Sequence, residues 1–138
     1  MSGSGHVLYF AYGSNMDERQ MQSRVPGSVC VGTGHLRDHE FLFSGYSETW
    51  GGAVANVRRK RGSRVFGVLY ALPDFGLDKL DRFEGYPRHY QRKTGNIALG
   101  SGGSARAVLY YQRSTRPLAP PSKAYVNQIV KAIRKHGG

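Results

Sequence analysis

Glycine and other turn-forming residues interrupt this chain about every ten residues, and the segments between them are short and rich in β-branched and aromatic side chains. This spacing predicts many brief strands. One segment, RVFGVLYAL from Arg64 onward, has no polar face, as expected for a strand covered on both sides or lying inside a small barrel. We expect strands at 7–12, 28–36, 39–45, 52–59, 64–72, 88–99 and 105–113.

Three segments have helical features instead. Residues 17–24 begin with two acidic side chains, and Ser14 or Asn15 is available as the N-cap. Residues 74–84 carry leucine and phenylalanine at three-residue spacing and stop before a glycine that suits a helix C-cap. Residues 122–136 combine an apolar stripe with basic residues facing outward, which indicates a helix covering the sheet.

The length of 138 residues falls in the range of one domain. We therefore expect a single domain over 1–138, with residues 1–6 flexible. The one cysteine, Cys30, has no intramolecular disulfide partner, and the valines on both sides suggest a buried thiol within a strand. The N-terminal region lacks the features of a signal peptide, and no window approaches the roughly 20 apolar residues of a membrane helix. We expect a soluble, cytoplasmic protein with no membrane association.

The formal net charge of +11 raises the question of a polyanionic partner. The densest basic cluster is RRKRGSR, Arg58 to Arg64, between two predicted strands, and its shape is that of a solvated hairpin tip. It lacks the interleaved aromatic side chains of a platform for single-stranded nucleic acid. Nucleic acid is therefore the weaker alternative among the partners.

Several kinds of site find no support in the sequence. A phosphate-binding G-x-x-x-x-G-K-[ST] motif is absent, and GTGHLRDHE fails the dinucleotide pattern. The five histidines are scattered without the spacing of metal ligands, so we expect no metal. Ser14 does not lie in the G-x-S-x-G context of a nucleophilic serine.

The stretch YFAYGSNM, residues 9–16, leads from a strand through a glycine turn into a helix. The first turn of a helix has free backbone N–H groups, which can hold a carboxylate or an oxyanion. Gly13 permits close backbone approach, while the Ser14 hydroxyl and the Asn15 amide add donors. An ordinary capped turn is the alternative interpretation, and the residues alone leave both open.

The stretch LDKLDRFEGYPRHYQR, from Leu77 onward, places Glu84 at the end of a helix and next to aromatic residues. Desolvation by Phe83, Tyr86 and Tyr90 would raise the pKa of its carboxyl toward neutrality, where it can both take and return a proton. Solvent exposure is the alternative, since most glutamates at helix ends are exposed. The aspartates of this stretch, at positions 78 and 81, are expected to be solvated.

Taken together and in order, these motifs resemble the gamma-glutamylcyclotransferase family, and the resemblance extends through nearly the whole chain. The opening Y-G-S-N, a central W-x-G-G-x-A-like segment, an L-D-x-x-E-G segment followed by tyrosine, a late strand tyrosine and a prolyl linker into a helix all have counterparts. The matching positions are Tyr12, Gly13, Ser14, Asn15, Trp50, Gly51, Gly52, Ala53, Ala55, Leu80, Asp81, Glu84, Gly85, Tyr90, Tyr110 and Tyr125.

The resemblance implies an α+β fold, a small and mostly antiparallel β-barrel with helices packed around it. It also implies a reaction in which the α-amine of a γ-glutamyl substrate attacks its own γ-carbonyl. The products are 5-oxoproline and the amino acid or amine that was attached. Neither a cofactor nor a covalent enzyme intermediate is implied.

Roles for individual residues follow from the resemblance. Glu84 would be the catalytic general base and acid. The substrate-binding residues would be Tyr12, Gly13, Ser14, Asn15, Gly52, Tyr90 and Tyr110. The alternative is a non-catalytic binding module of the same fold that uses its basic surface for nucleic acid or another polyanion. The oligomeric state stays open, a homodimer included.

Overall fold

The strands of this protein close into a barrel. The computed structural model describes residues 7–113 and 116–138, so the expected flexibility of residues 1–6 lies outside the described residues. The strand order around the barrel is β1-β3-β2-β4-β5, and three α-helices pack outside it, which confirms the predicted α+β barrel. The elements are β1 (Val7–Ala11), α1 (Glu18–Arg24), β2 (Val29–Ser47), β3 (Gly52–Leu72), α2 (Gly76–Glu84), β4 (Gln91–Leu99), β5 (Ser104–Tyr111) and α3 (Lys123–Lys135).

The barrel closes where its first and last strands meet. All neighbouring strands pair antiparallel except β1 and β5, which are parallel and share the single register pair Tyr9 and Val108. Beyond this pair the Tyr12 hydroxyl donates to the Tyr110 carbonyl oxygen at 2.5 Å. We call this junction the β1–β5 seam. Both strands end there, so it brings residues from the two ends of the barrel sequence together.

The strands β2 and β3 form one long hairpin rather than the four short strands predicted. Their register runs from Val29 opposite Ala71 to Ser47 opposite Gly52, with irregularities at three places. The turn of this hairpin therefore lies at residues 48–51 and not in the basic cluster. Local sequence indicated breaks at the irregular positions, but both sides of each break pair with the same partner strand.

The basic cluster Arg58 to Arg64 is consequently not a hairpin tip, and that prediction is wrong. Arg59 pairs with His39 and Arg64 with Arg37, so four residues of β3 bulge out opposite Asp38 alone. The bulge is stabilised because the Gly62 N–H donates to the Asp38 carboxylate at 3.0 Å. The basic side chains of the cluster are exposed, as expected.

A 3₁₀ turn, Ser14–Met16, separates β1 from α1. The N-cap of α1 is Asp17, whose carboxylate accepts from the Gln20 N–H at 3.0 Å. The prediction of Ser14 or Asn15 as the cap is therefore wrong, because the 3₁₀ turn occupies those positions and shifts the start of the helix.

The other two helices begin and end close to the predicted positions. Gly85 has φ of +67° and ends α2, so Glu84 is the last residue of that helix. Leu80 of α2 is fully buried, whereas Phe83 is 55% exposed. The α3 helix buries Tyr125, and its N-cap is Ser122. Among the described residues, no helix has both the length and the apolar character needed to cross a membrane.

Candidate active site

One cavity of about 480 Å³ lies at the end of the barrel where β1 leads into the 3₁₀ turn. This volume suits a small molecule. The wall includes the C-terminus of α2, the β2–β3 turn and the start of α3. Of the predicted site residues it contains Tyr12, Gly13, Ser14, Asn15, Glu84, Tyr90 and Tyr110, which come from four separate segments of the chain.

Gly52 is the predicted site residue that the structure does not bring to the cavity wall. It is buried, and a β-carbon there would lie 2.7 Å from the Ser122 nitrogen. The glycine therefore permits close packing of β3 on the chain that enters α3. Its neighbour Trp50 does line the cavity and packs edge-on to Tyr125, with 5.0 Å between the ring centroids.

Glu84 projects from the end of α2 into this cavity. Burial raises the pKa of its carboxyl to about 7, and the nearby positive charge of Arg24 limits the rise. Within residues 7–113 and 116–138, no hydrogen-bond donor reaches its carboxylate. A carboxyl with this pKa exchanges its proton near neutral pH, as a general base and acid must.

Five tyrosines surround Glu84 and explain its desolvation. Burial is the main reason that the pKa of each tyrosine lies above its ordinary value, and the charge of Glu84 contributes to the rise in every case. The expected desolvation by Tyr90 is therefore found, whereas Tyr86 does not line the cavity. The hydroxyls stay uncharged and serve as hydrogen-bonding groups. The five are Tyr9, Tyr12, Tyr90, Tyr110 and Tyr125.

The three tyrosines predicted from the sequence donate their hydroxyl hydrogens to the protein itself. Tyr12 donates to the Tyr110 carbonyl across the β1–β5 seam. Tyr90 donates to the Ala55 carbonyl at 2.9 Å, and Tyr110 donates to the Asp81 carboxylate at 2.7 Å. Their rings shape the cavity, and their hydroxyls hold its wall in place.

Two tyrosines that the site prediction missed have hydroxyl hydrogens to offer. The Tyr9 oxygen accepts from the Asn15 amide at 3.0 Å, and the Tyr125 oxygen accepts from the Ala55 N–H at 2.8 Å. Among the described residues neither hydroxyl has an acceptor, so each can donate into the cavity. The available signal was weak: a tyrosine inside an apolar strand or stripe needs a polar partner when it is buried.

The Y-G-S-N turn packs tightly and keeps backbone donors free. A β-carbon at Gly13 would lie 3.2 Å from both the Tyr125 hydroxyl and the Ala55 side chain, which only glycine accommodates easily. The N–H groups of Ser14 and Asn15 open the 3₁₀ turn, and no acceptor among the described residues takes them. These two groups are available to an anion or a carbonyl oxygen.

Two glutamines hold the turn in this shape. The Gln20 amide donates to the Ser14 hydroxyl at 2.7 Å and to the Asn15 side-chain oxygen at 2.9 Å. From α3, the Gln128 amide donates to the Ser14 carbonyl at 3.1 Å and to the Gln20 side-chain oxygen at 2.8 Å. Asn15 is buried, and both its side-chain nitrogen and its side-chain oxygen form hydrogen bonds within the protein, so it positions the turn.

Asp81 lies one helical turn before Glu84 and has a different environment. Its carboxylate accepts from Tyr110 and forms an ion pair with Arg92, and its side chain is 19% exposed. The expectation that Asp81 is solvated is therefore wrong, because β4 and β5 cover it. It fixes the position of Tyr110 beside the catalytic candidate.

The cavity at the end of the small barrel combines the buried Glu84 carboxyl with uncharged hydroxyls and free backbone donors, which are groups that acid–base chemistry can use. Its wall also includes a second carboxyl, a histidine and three arginines, namely Glu48, His89, Arg24, Arg82 and Arg116. A family model described as gamma-glutamyl cyclotransferase, AIG2-like, matches residues 9–127. The chain therefore belongs to the gamma-glutamyl cyclotransferase family, which confirms the resemblance seen in the sequence.

Curated relatives and solved structures agree with this assignment. The chain is 28% identical over 134 residues to a gamma-glutamylcyclotransferase from Bos taurus, covering 94% of this chain and 71% of the relative. The human protein of that name is 27% identical over the same shares.

A solved structure of a gamma-glutamyl cyclotransferase superposes with a TM-score of 0.91 at 27% identity, covering 96% of this chain and 80% of that one. A yeast gamma-glutamyl cyclotransferase described as specific to glutathione has a TM-score of 0.69 at 9% identity, covering 96% of this chain and 89% of that one. The yeast protein shows likeness of fold alone.

Proposed function

We propose that this protein is a gamma-glutamylcyclotransferase that converts a γ-glutamyl amino acid or amine into 5-oxoproline and the free amino acid or amine. The observation that carries the proposal is Glu84, a carboxyl with a pKa of about 7 inside the cavity. The family supplies the reaction class, and Glu84 supplies a carboxyl whose pKa burial raises into the range needed for proton transfer near neutrality.

Glu84 acts twice in the proposed reaction. Its carboxylate first takes a proton from the α-ammonium group, and the neutral amine then attacks the γ-carbonyl carbon to form the new C–N bond of the lactam. Glu84 next returns the proton to the nitrogen of the leaving group as the original amide bond breaks. The ring nitrogen loses its second proton as the lactam forms, and the released amine gains a second proton to become an ammonium ion. Atoms and protons therefore balance without any other reactant, since the substrate supplies its own nucleophile.

Positioning is the second contribution of the site. The N–H groups of Ser14 and Asn15 would hold the α-carboxylate of the glutamyl group or the oxyanion that develops on the γ-carbonyl. The free hydroxyl hydrogens of Tyr9 and Tyr125 are further donors to the folded glutamyl chain. Holding the chain bent, with its amine near its own carbonyl, removes much of the entropic cost of ring closure.

The proposal is tested by incubating the protein with a panel of γ-glutamyl dipeptides and amines and measuring 5-oxoproline by mass spectrometry. Glu84→Gln is the informative variant, because it keeps the shape of the side chain and removes the proton exchange. Asp78→Asn is a matched control, since Asp78 is an exposed carboxylate on the same helix outside the cavity. Equal turnover by Glu84→Gln and the wild type would refute the proposed role.

The rival function, a binding module for nucleic acid or another polyanion, draws its support from the exposed basic cluster Arg58 to Arg64. We propose that nucleic acid is not a partner, because a module without catalysis has no need of a buried carboxyl in the wall of its cavity. A cytoplasmic location in glutathione metabolism and a homodimer also belong to the proposal. Salt-dependent binding to nucleic acid that is lost on neutralising the cluster would favour the rival.

A further inference from the structure

A second group of chemically reactive side chains lies outside the cavity. Glu18, Cys30 and His136 each point one potential ligand atom to a common point, with all three atoms within 4.8 Å of one another. The His136 Nε2 lies 3.5 Å from the Glu18 carboxylate. All three side chains are partly buried, and the proposed reaction uses none of them.

The three residues come from distant parts of the chain and meet only in the folded protein. Glu18 opens α1, Cys30 lies near the start of β2, and His136 is the C-cap of α3. The prediction of no metal site depended on spacing along the sequence, which cannot detect such a group. Cys30 was also predicted to be buried, but it is partly exposed because this end of β2 lies at the edge of the core.

We propose that Glu18, Cys30 and His136 form a zinc-binding site, with water as the fourth ligand. Thiolate, imidazole and carboxylate are the three side-chain ligands that Zn²⁺ uses in proteins, at about 2.0–2.3 Å from the metal. Ligand atoms around tetrahedral zinc are then about 3.5 Å apart, which the His136–Glu18 distance already matches. Small side-chain adjustments bring in the thiol.

Freeing His136 for the metal leaves no backbone group unsatisfied. Without metal, its Nε2 lies 3.1 Å from the Met16 carbonyl oxygen and donates to it. The same carbonyl also accepts from the Tyr70 hydroxyl at 3.2 Å, and Tyr70 is fully buried. The Met16 carbonyl therefore keeps a hydrogen bond when His136 turns its nitrogen to zinc.

Bound zinc would stabilise the Y-G-S-N turn. Met16 is the last residue of the 3₁₀ turn whose first two residues line the cavity. The metal would join α1, β2 and the end of α3 directly behind that turn. Its expected effect is therefore greater stability of this corner of the molecule, without a role in the chemistry at Glu84.

The test uses the full chain, reduced and freed of metal, titrated with Zn²⁺ by calorimetry and with Co²⁺ by absorption spectroscopy. We expect one ion per chain, a thiolate-to-cobalt band, and a higher melting temperature with zinc. Cys30→Ser should lose the band, and both Cys30→Ser and His136→Gln should bind zinc at least about tenfold more weakly. His35→Gln is the control and should bind like the wild type, because His35 lies outside the group and packs on Phe66.

Circular dichroism of each metal-free variant shows whether it folds, which separates loss of the site from loss of structure. Two results would overturn the proposal. One is the absence of saturable zinc binding by the wild type. The other is wild-type affinity retained by both Cys30→Ser and His136→Gln, which would place the ion elsewhere.

Discussion

Asp81 and Glu84 lie one turn apart on the same helix, and the protein treats their carboxyls in opposite ways. Asp81 has a cation, Arg92, and a hydroxyl donor, Tyr110. Glu84 faces the cavity, and among the described residues it has no donor, only the more distant charge of Arg24. A partnered carboxylate keeps its charge and holds structure, whereas a desolvated one can change its charge and do chemistry.

The carboxyls of Asp81 and Glu84 are connected through one tyrosine. Tyr110 contacts the surroundings of both carboxyls, because it donates to Asp81 and lines the same cavity as Glu84. Burial is the main reason that its pKa is raised, the hydrogen bond to Asp81 comes next, and Glu84 has a smaller effect. Asp81 thus fixes the ring that helps to desolvate Glu84. The aspartate therefore supports the aromatic wall beside the glutamate.

The largest expected effect is on activity, where replacing Glu84 should cost far more than replacing Asp81. Glu84→Gln should lower kcat by roughly 10²- to 10⁴-fold, the usual contribution of a general base. Asp81→Asn should lower it by about tenfold, since it only loosens Tyr110. Steady-state release of 5-oxoproline measures both, and a larger loss for Asp81→Asn would reverse the assignment.

The effect on stability should distinguish the two carboxyls as well, with the loss falling on the Asp81 variant. Asp81→Asn leaves Arg92 without its partner, so the free energy of unfolding should fall by about 2 kcal/mol, within the range for a lost charged hydrogen bond. The measurement is urea unfolding at pH 7. Asp78→Asn, on the exposed face of α2, provides the comparison and should change stability by less than about 0.5 kcal/mol.

Glu84→Gln should stabilise the protein at alkaline pH while it inactivates it. The folded-state pKa of Glu84 is raised, so its contribution to stability is fully present below the unfolded pKa near 4.5 and is lost as the pH rises through about 7. At pH 8 the variant should be more stable by on the order of 2 kcal/mol, allowing for partial exposure. At pH 4 the two proteins should unfold alike; an equal difference at both pH values would contradict the linkage.

The pH dependence of turnover should change when the positive charge of Arg24 is removed. We expect the wild-type rate to rise with the deprotonation of Glu84, around pH 7. Arg24→Gln removes the charge that lowers the pKa of Glu84, so the rising limb should shift to higher pH by a few tenths of a unit, roughly the effect of one partly screened charge. A limb that stays in place would mean that another group controls it.

The smallest expected effect belongs to the basic cluster. Replacing Arg59 and Arg61 with glutamine removes charge from exposed side chains of the β3 bulge, away from the cavity. The value of kcat/KM should therefore stay within about twofold of the wild type, since the two side chains do not line the cavity and exposed charges are screened at physiological salt. A large loss would show that the cluster steers the substrate.

Local pattern predicted the elements of this fold well but not their partners. Strand positions followed from turn residues and from β-branched and aromatic content, and the end of α2 followed from Gly85. The joining of residues 52–59 and 64–72 into one strand could not be predicted in this way, because it depends on their pairing with the same strand, β2. Pairing between distant segments has no local signal.

The same division applies to the site. Glu84 and the Y-G-S-N turn were found because each lies in a short distinctive motif. The environment of Asp81, set by Arg92 and Tyr110, and the free hydroxyls of Tyr9 and Tyr125 were not found. Which partner a polar group takes is decided by the packing of strands that the sequence separates widely.

The β1–β5 seam connects formation of the active site to a particular step of folding, the closure of the barrel. Its single register pair joins residues 99 positions apart in sequence, and the Tyr12–Tyr110 hydrogen bond joins residues 98 apart. We expect contacts of such long range to form late, since closing a long loop has a large entropic cost. The cavity exists only after this closure, so a bound ligand should slow the reopening of the barrel and protect the amides of β1 from hydrogen exchange. Catalytic turnover would then indicate that β1 and β5 have paired.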